Sequence, residues 1–234
     1  MTTLQVAILA GGRGERLGEL TQNTPKPLLP VAGEPFIAHL LVRLARAGLT
    51  QVGILTGPFD DIFHSVLGTG SDYGVELSLI PEPEPAGTGG ALRYIADRTG
   101  EEFICMNGDS LFDIDYLALS GRTLDRDSDF DICLRQLDDT KRYGRVELDD
   151  TGRVTRFGEK ESSGPGLVNT GIYRIRSEII SQLPPRPASL ETEILPALVK
   201  RQRVTGRVHN APFLDIGIPS DFARASAFVK DLPT

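Results

Sequence analysis

An apolar run from Val6 to Ala10 breaks directly into Gly11-Gly12-Arg13-Gly14, and the stretch from Gly18 to Pro30 then carries Pro25, Pro27 and Pro30. The apolar run has the length of a buried strand. No helix can pass through the prolines, because each lacks an N–H and its ring obstructs the preceding turn. The strand must therefore end in a long loop of almost bare backbone. Such backbone lets several amide N–H groups converge on an anion, and Arg13, Arg16 and Lys26 place cations around it. Proline on both sides of Lys26 biases it toward an extended backbone that aims the ammonium in one direction. These residues point to a grip on a polyphosphate. They also exclude two other phosphate loops. No Gly-Lys-Ser/Thr triplet closes the stretch as a P-loop requires, and Leu17 stands where a dinucleotide fingerprint needs a small residue opening a helix.

Short apolar runs recur at Val52 to Thr56, Val75 to Ile80 and Phe103 to Asn107, each bounded by Gly, Pro or Asp. Between them lie helical patterns. Pro35 to Ala47 carries Phe36, Leu40, Leu44 and Ala47 at three-to-four spacing, with proline suited to the first turn and Gly48 to the stop. Asp60 to Leu67 and Thr88 to Arg98 fill the next two intervals. This alternation predicts an α/β fold: a single Rossmann-like domain over 1–234, with a mostly parallel twisted sheet, helices on both faces, and ligands at the carboxyl ends of the strands. The second half changes to a β-rich pattern, with strands at Ile132 to Gln136, Arg145 to Leu148, Arg153 to Phe157 and Leu167 to Ile175. Asp149-Asp150-Thr151-Gly152 forms a hairpin turn between the middle two. Helices at Glu178 to Leu183 and Leu190 to Arg201, a strand at Val204 to His209 and a helix from Pro219 to about Lys230 complete the expectation.

A chain of 234 residues is long enough to bury roughly 70–75% of its unfolded surface without disulfides. Its formal net charge of −7 argues against nucleic acid or an anionic membrane as a partner, so any phosphate site must be local. Cys105 and Cys133 sit far apart in apolar runs and read as buried reduced thiols. No apolar stretch near the start approaches a signal-peptide core or a membrane span, which gives a soluble, cytoplasmic chain as the expectation. His39, His64 and His209 fall in ordinary helix or strand contexts and read as structural.

Gly11 to Leu17 followed by Pro25-Lys26-Pro27 resembles the signature of the sugar-1-phosphate nucleotidyltransferases. The likeness extends to Gly87-Thr88-Gly89-Gly90-Ala91, Asn107-Gly108-Asp109, Glu159-Lys160, Asn169-Thr170-Gly171-Ile172-Tyr173 and Asp215-Ile216-Gly217, in family order from residue 4 to about 224. The resemblance implies that a sugar 1-phosphate oxygen attacks the α-phosphorus of a nucleoside triphosphate and expels pyrophosphate. It divides the chain into a nucleotide-binding half, about 1–115, and a sugar-binding half, about 116–234. Arg16, Lys26 and Asp109 would be catalytic. Leu9, Gly11, Gly12, Arg13, Gly14, Gly87, Thr88, Gly89 and Asn107 would bind nucleotide, and Gly144, Glu159, Lys160, Asn169 and Thr170 the sugar phosphate. Asp109 and Asp215 would hold Mg2+, an ion that takes oxygen ligands and keeps much of its hydration. The partners would be the nucleoside triphosphate and the sugar 1-phosphate, with room for a homo-oligomer. Family members often carry proline after the Glu-Lys pair; this chain has Glu161 there.

Within the family, Gly87 to Gly90, Lys141 to Arg145 and Phe213 to Phe222 look most like bacterial heptose 1-phosphate guanylyltransferases, which make a GDP-activated manno-heptose for surface glycans. Relatives acting on mannose, glucose or N-acetylmuramic acid 1-phosphate share most of these motifs. Two other classes remain as alternatives. A regulatory protein that only binds a nucleotide sugar would be expected to lose Arg16, Lys26 or Asp109, and all three are here. A glycosyltransferase would use an Asp-X-Asp metal motif, which Asp113-Ile114-Asp115 formally matches, although that position reads as a helix start with Asp115 as its cap.

Overall fold

The computed structural model describes residues 3–12, 14–158 and 164–233. The first apolar run forms β1 (Leu4–Leu9), followed after the proline loop by a tight pair, β2 (Pro30–Val31) and β3 (Glu34–Pro35). Helix α1 (Phe36–Arg46) follows Pro35 at its start; Phe36, Leu40 and Leu44 are fully buried. Gly48, at φ 73°, ends it by turning the chain so that Leu49 N–H donates to the Leu44 carbonyl at 2.9 Å. Then come β4 (Gln51–Gly57), α2 (Asp60–Leu67), β5 (Glu76–Pro81) and the single turn α3 (Gly87–Gly90). The helix expected from Thr88 to Arg98 is shorter than its sequence pattern. After α3 the chain tightens to a 3-10 turn at Ala91–Ile95, and the next strand, β6 (Thr99–Asn107), already begins at Thr99.

These strands make the parallel core, in the order β5-β4-β1-β6. The chain moves outward from β1 through β4 to β5 and returns to the other side of β1 as β6. A crevice therefore opens at the carboxyl ends of β1 and β6, where a doubly wound sheet binds its ligands. It is closed at its base by Gly108 N–H, which donates to the Leu9 carbonyl at 2.9 Å.

Beyond β6 the direction reverses. After β7 (Ser110–Phe112) and α4 (Tyr116–Ser120) come β8 (Phe130–Leu137), β9 (Arg145–Leu148), β10 (Val154–Phe157) and β11 (Gly166–Arg176). β11 pairs antiparallel with β6, β8 and β9, so one sheet runs through both halves. The β9–β10 turn is as the sequence predicts: Asp149 accepts from the N–H groups of Thr151 and Arg153, and Gly152 adopts φ 83°. The segment expected as a helix at Glu178 to Leu183 is a 3-10 turn, Ser177–Gln182. The one from Leu190 opens as a π turn (Leu190–Ile194) before α5 (Leu195–Lys200). The chain ends with β12 (Val204–Val208) parallel to β8, β13 (Phe213–Asp215), and α6 (Pro219–Asp231).

Two apolar clusters cover the two faces of the sheet. One gathers α1, α2, α4 and α6 residues around Phe36, Leu40 and Ile8; the other gathers the 3-10 turn, the π turn and α5 around Leu92, Tyr173 and Leu195. Cys105 and Cys133 are both buried and unbridged. No helix among the described residues is long and apolar enough to cross a membrane.

The β6–β11 junction is fastened by charge as well as by backbone. Glu102 accepts from Arg174 Nε at 2.7 Å and from the Leu124 N–H at 3.1 Å, and Arg174 also donates to the Leu119 and Ser120 carbonyls. Arg174 and Glu102 side chains are only 11% and 12% exposed. Replacing Glu102 by Ala strands the guanidinium away from water, and urea denaturation should register a loss of about 3 kcal/mol.

Candidate active site

The crevice holds a cavity of about 750 Å³ lined by Leu9, Gly11, Gly12, Gly14, Arg16, Lys26, Glu82, Gly87, Thr88, Asn107 and Asp109 among others. Most of the residues that the sequence assigned to nucleotide are thus on one wall. A side chain would be obstructed at Gly11 and strained at Gly14, whereas Gly12 faces open space. A Cβ on Gly11 would lie 2.7 Å from the Gly57 nitrogen, and Gly57, at φ 59°, meets Gly11 in return at 2.8 Å. The two loops leaving β1 and β4 therefore touch backbone to backbone. Gly14, at φ 66°, packs on the Lys26 stem, where a Cβ would come within 3.3 Å. Thr21 clips this bend through its hydroxyl, which donates to the Gly14 carbonyl at 3.0 Å.

Lys26, 7% exposed, is held in a short turn whose neighbours Pro25, Pro27 and Leu28 are buried with it. Its ammonium donates to Asp109 Oδ2 at 2.6 Å. Asp109 follows the end of β6, and Asp215 ends β13. Neither β7 nor β13 is expected from its local pattern, yet these three-residue strands bring the two acids together: Asp215 pairs with Ser110, and Ile216 N–H donates to the Asp109 carbonyl at 3.0 Å. Burial pushes the Asp215 carboxyl up to about 6, with the Asp109 charge adding to it. The Gly217 N–H, Lys26 and Arg142 act in the opposite sense. Arg16 reaches across from the glycine loop: a Cβ on Gly217 would lie 3.6 Å from Arg16 Nη2.

Behind Asn107 lies a bulge in β11, and the assigned residues Gly144 and Asn169 fall outside the cavity lining. Gly171, at φ 77°, lies so close to Asn107 that a Cβ would meet Nδ2 at 2.5 Å, and the buried Asn107 Oδ1 has no hydrogen-bond partner among the described residues. Asn169 donates to the Tyr173 hydroxyl at 2.7 Å and accepts from Gly171 N–H at 3.0 Å. Gly144 lets β9 approach Gly158, whose carbonyl would lie 2.8 Å from a Cβ there.

Two assignments do not survive. Thr170 is 1% exposed and its hydroxyl donates to the Cys133 carbonyl at 2.8 Å, so its side chain faces the core and not a ligand. Gly89 is buried behind the wall; a Cβ would run into Ile194 Cδ1 at 2.1 Å, and its N–H donates to the Ala188 carbonyl. The glycines of Gly87-Thr88-Gly89-Gly90 thus serve close packing on the 186–190 segment. Gly87 would likewise meet the Ala188 carbonyl at 2.5 Å, and the Thr88 hydroxyl is engaged by Glu191 and by Leu190 N–H. Arg13, Glu159 and Lys160 lie outside the described residues.

Other residues enter the site without having been singled out. Gly57 was hidden as a strand end, although a Gly-Pro pair after an apolar run is a readable breaker. Glu82 lines the cavity half-buried, and burial raises its carboxyl while the N–H groups of Ala86 and Gly57 lower it. The histidines stay out of the cavity lining: His39 bonds the Val31 carbonyl at 2.9 Å, His64 is exposed on α2, and His209 packs edge-on to Phe112. Asp115 caps α4 by accepting from Ala118 N–H, and Asp113 pairs with Arg43, so the Asp-X-Asp string is structural.

The sequence matches the nucleotidyl transferase family over residues 5–231. The chain belongs to that family. It is 35% identical over 234 residues to a protein of Mycobacterium tuberculosis named mannose-1-phosphate guanylyltransferase, a match covering 97% of this chain but only 65% of that relative's length. It is 31% identical over 224 residues to the D-glycero-alpha-D-manno-heptose 1-phosphate guanylyltransferase of Aneurinibacillus thermoaerophilus, covering 95% and 96% of the two chains. The crystal structure of HddC from Yersinia pseudotuberculosis complexed with GMP-PN superposes with a TM-score of 0.83 at 31% identity, over 95% of this chain and 97% of that one.

Among the described residues no group of three or more His, Cys, Asp or Glu side chains is set to hold a metal ion. Two carboxylates forced together, one of them resisting ionisation, nevertheless form a donor set that a hard divalent cation would relieve. The raised Asp215 carboxyl also has a consequence for stability. It holds its proton to higher pH in the folded chain than in the unfolded one. Its contribution is therefore present at low pH and lost as the pH rises through about 6. Asp215→Asn, which stays neutral, should match the wild type in melting temperature near pH 4 and exceed it by a few degrees near pH 7, as calorimetry without divalent metal would show.

Proposed function

We propose that this chain transfers a guanylyl group from GTP to a manno-configured sugar 1-phosphate, with D-glycero-D-manno-heptose 1-phosphate as the favoured acceptor, and releases pyrophosphate to form a GDP-sugar for surface glycan synthesis. The observation that carries the reading is the meeting of Lys26 with the Asp109 and Asp215 pair at the rim of a glycine-floored cavity. A phosphomonoester has its second pKa at about 6 and is already anionic at neutral pH, so the attacking oxygen needs no general base. The absence of histidine from the described cavity lining accords with that. The task is to gather negative charge from two phosphate groups and neutralise it as the new bond forms.

In this reading Gly11, Gly12 and Gly14 offer backbone amides to the β and γ phosphates, with Arg13 beside them, and Arg16 neutralises the departing pyrophosphate. Lys26 leaves Asp109 to bridge the α-phosphate and the incoming sugar phosphate. Asp109 and Asp215 would hold Mg2+, which when bound supplies positive charge to the phosphoryl oxygens. Gly144, Asn169, Glu159 and Lys160 form the sugar side. Glu82 supports guanine as the base: its carboxylate offers acceptors to the adjacent N1–H and 2-amino donors, a pair that adenine and the pyrimidines lack. Mannose 1-phosphate is the second reading for the acceptor, favoured by the 35% identity to the mycobacterial relative.

A pyrophosphate-release assay over four nucleoside triphosphates and a panel of hexose and heptose 1-phosphates tests the proposal. GTP with a manno-configured acceptor should dominate, while sugar transfer without pyrophosphate would point to a glycosyltransferase. Lys26→Ala and Asp109→Asn should each lower kcat by about 10²–10³-fold. Chelation of divalent metal should stop turnover and magnesium should restore it; activity that persists under chelation would remove Asp215 from the mechanism.

A further inference from the structure

We propose that Arg142 binds the phosphate of the acceptor, a sugar 1-phosphate dianion, and that Asp221 is the positioning residue that presents it. This rests on the transfer reaction proposed above. Arg142 lies in the loop between β8 and β9, two residues before Gly144. Its Nη1 donates to Asp221 in the first turn of α6, and Asp221 also receives Arg224 Nε at 3.1 Å. One carboxylate against two guanidiniums leaves a positive charge in surplus. The Asp221 side chain is 7% exposed and that of Arg142 36%, so the acid is sunk in the protein while the cation reaches solvent.

The placement is set by aromatic packing. The Arg142 guanidinium carbon sits 5.4 Å from the centre of the Tyr143 ring, and that ring lies 5.8 Å from Phe213. Phe213 and Asp215 are two apart on β13 and so share a face. The stack Arg142–Tyr143–Phe213 therefore lies on the face of β13 from which Asp215 projects. Asp215 and Arg142 act on one another electrostatically, and Asp221, Tyr143 and Asp215 are the ionisable groups around the guanidinium.

Charge demand makes the cation useful there. The triphosphate is met from the glycine loop by Arg16 and Lys26, and Lys26 is shared with Asp109. Lys26 bridges both phosphates and Lys160 is assigned to the sugar side, but a second dianion arriving past two carboxylates is still held better with a further cation on the acceptor side. Among the described residues only Nη1 of Arg142 has a hydrogen-bond partner, which leaves Nε and Nη2 to face two oxygens of one phosphate, the fork geometry that guanidinium matches. Holding the third corner on Asp221 fixes the fork before substrate arrives.

The test pairs kinetics with direct binding. Steady-state KM values for GTP and for the acceptor would be measured in wild type, Arg142→Met, Arg142→Lys and Asp221→Asn. Isothermal titration with heptose 1-phosphate, mannose 1-phosphate and free mannose would accompany them. In Arg142→Met, which leaves Asp221 with Arg224, the acceptor KM should rise roughly 10-fold or more while the GTP KM changes little. Sugar 1-phosphate binding should weaken in parallel, Lys should rescue part of the loss, and Asp221→Asn should give a smaller rise of the same kind. The proposal is overturned if Arg142→Met or Arg142→Lys folds and keeps both acceptor KM and sugar-phosphate affinity, if both KM values rise together, or if the wild type binds neither sugar 1-phosphate. A wild type that binds sugar 1-phosphate through Arg142 yet turns over no GTP would instead refute the transfer reaction and leave this assignment standing.

Discussion

Two carboxylates that repel one another are held side by side by a ladder only three residues long. β7 and β13 are individually too short to be stable, yet their pairing opposes Ser110 and Asp215 and ties Ile216 to the Asp109 carbonyl. Burial first, and the Asp109 charge after it, makes Asp215 resist ionisation, and the Lys26 ammonium on Asp109 offsets this in part. Everything around the crevice serves this arrangement: the prolines that fix Lys26, the bare loop that brings Arg16 across to Gly217, and the seam between parallel and antiparallel strands at which β6 ends.

The glycines of the site do two separate jobs. Those after β1 line the cavity with bare backbone and allow two loops to meet without side chains between them, as Gly11 and Gly57 do. Those around Gly89 allow a wall of the cavity to be pressed against the 186–190 segment from behind. Both kinds look alike in sequence, which is why Gly89 reads as a ligand contact and proves to be a packing residue. Thr170 is the polar counterpart: its hydroxyl belongs to the Cys133 carbonyl because the β11 bulge turns it inward.

Elements with a strong local signal were legible. Helix α1 carries its period, its entering proline and its terminating glycine within 14 residues, Pro35 to Gly48, and the β9–β10 turn carries Asp and Gly at the positions its backbone demands. Elements that exist only through distant partners were not. β7 and β13 are separated by a hundred residues and have no pattern of their own. The π turn at Leu190–Ile194 packs on Gly89, a partner a hundred residues away in sequence. Among the site residues, Lys26 and Asp109 stood out by punctuation and position. Arg142, which we propose for the acceptor phosphate, is marked in the sequence only as part of the Lys141 to Arg145 string; its pairing with Asp221 and its place on the Tyr143 ring, which packs on Phe213, come from the fold.

β6 is bonded in parallel to β1 on one side and antiparallel to β11 on the other, so the sheet changes its grammar at a single strand. In the proposed reaction, loops hung on β1, β4 and β5 would face the nucleotide, and loops hung on β8, β9 and β11 the acceptor. Acceptor preference can therefore drift or be re-engineered by exchanging segments on one flank, while the donor-gripping flank, joined to it only through that shared backbone, stays as it is.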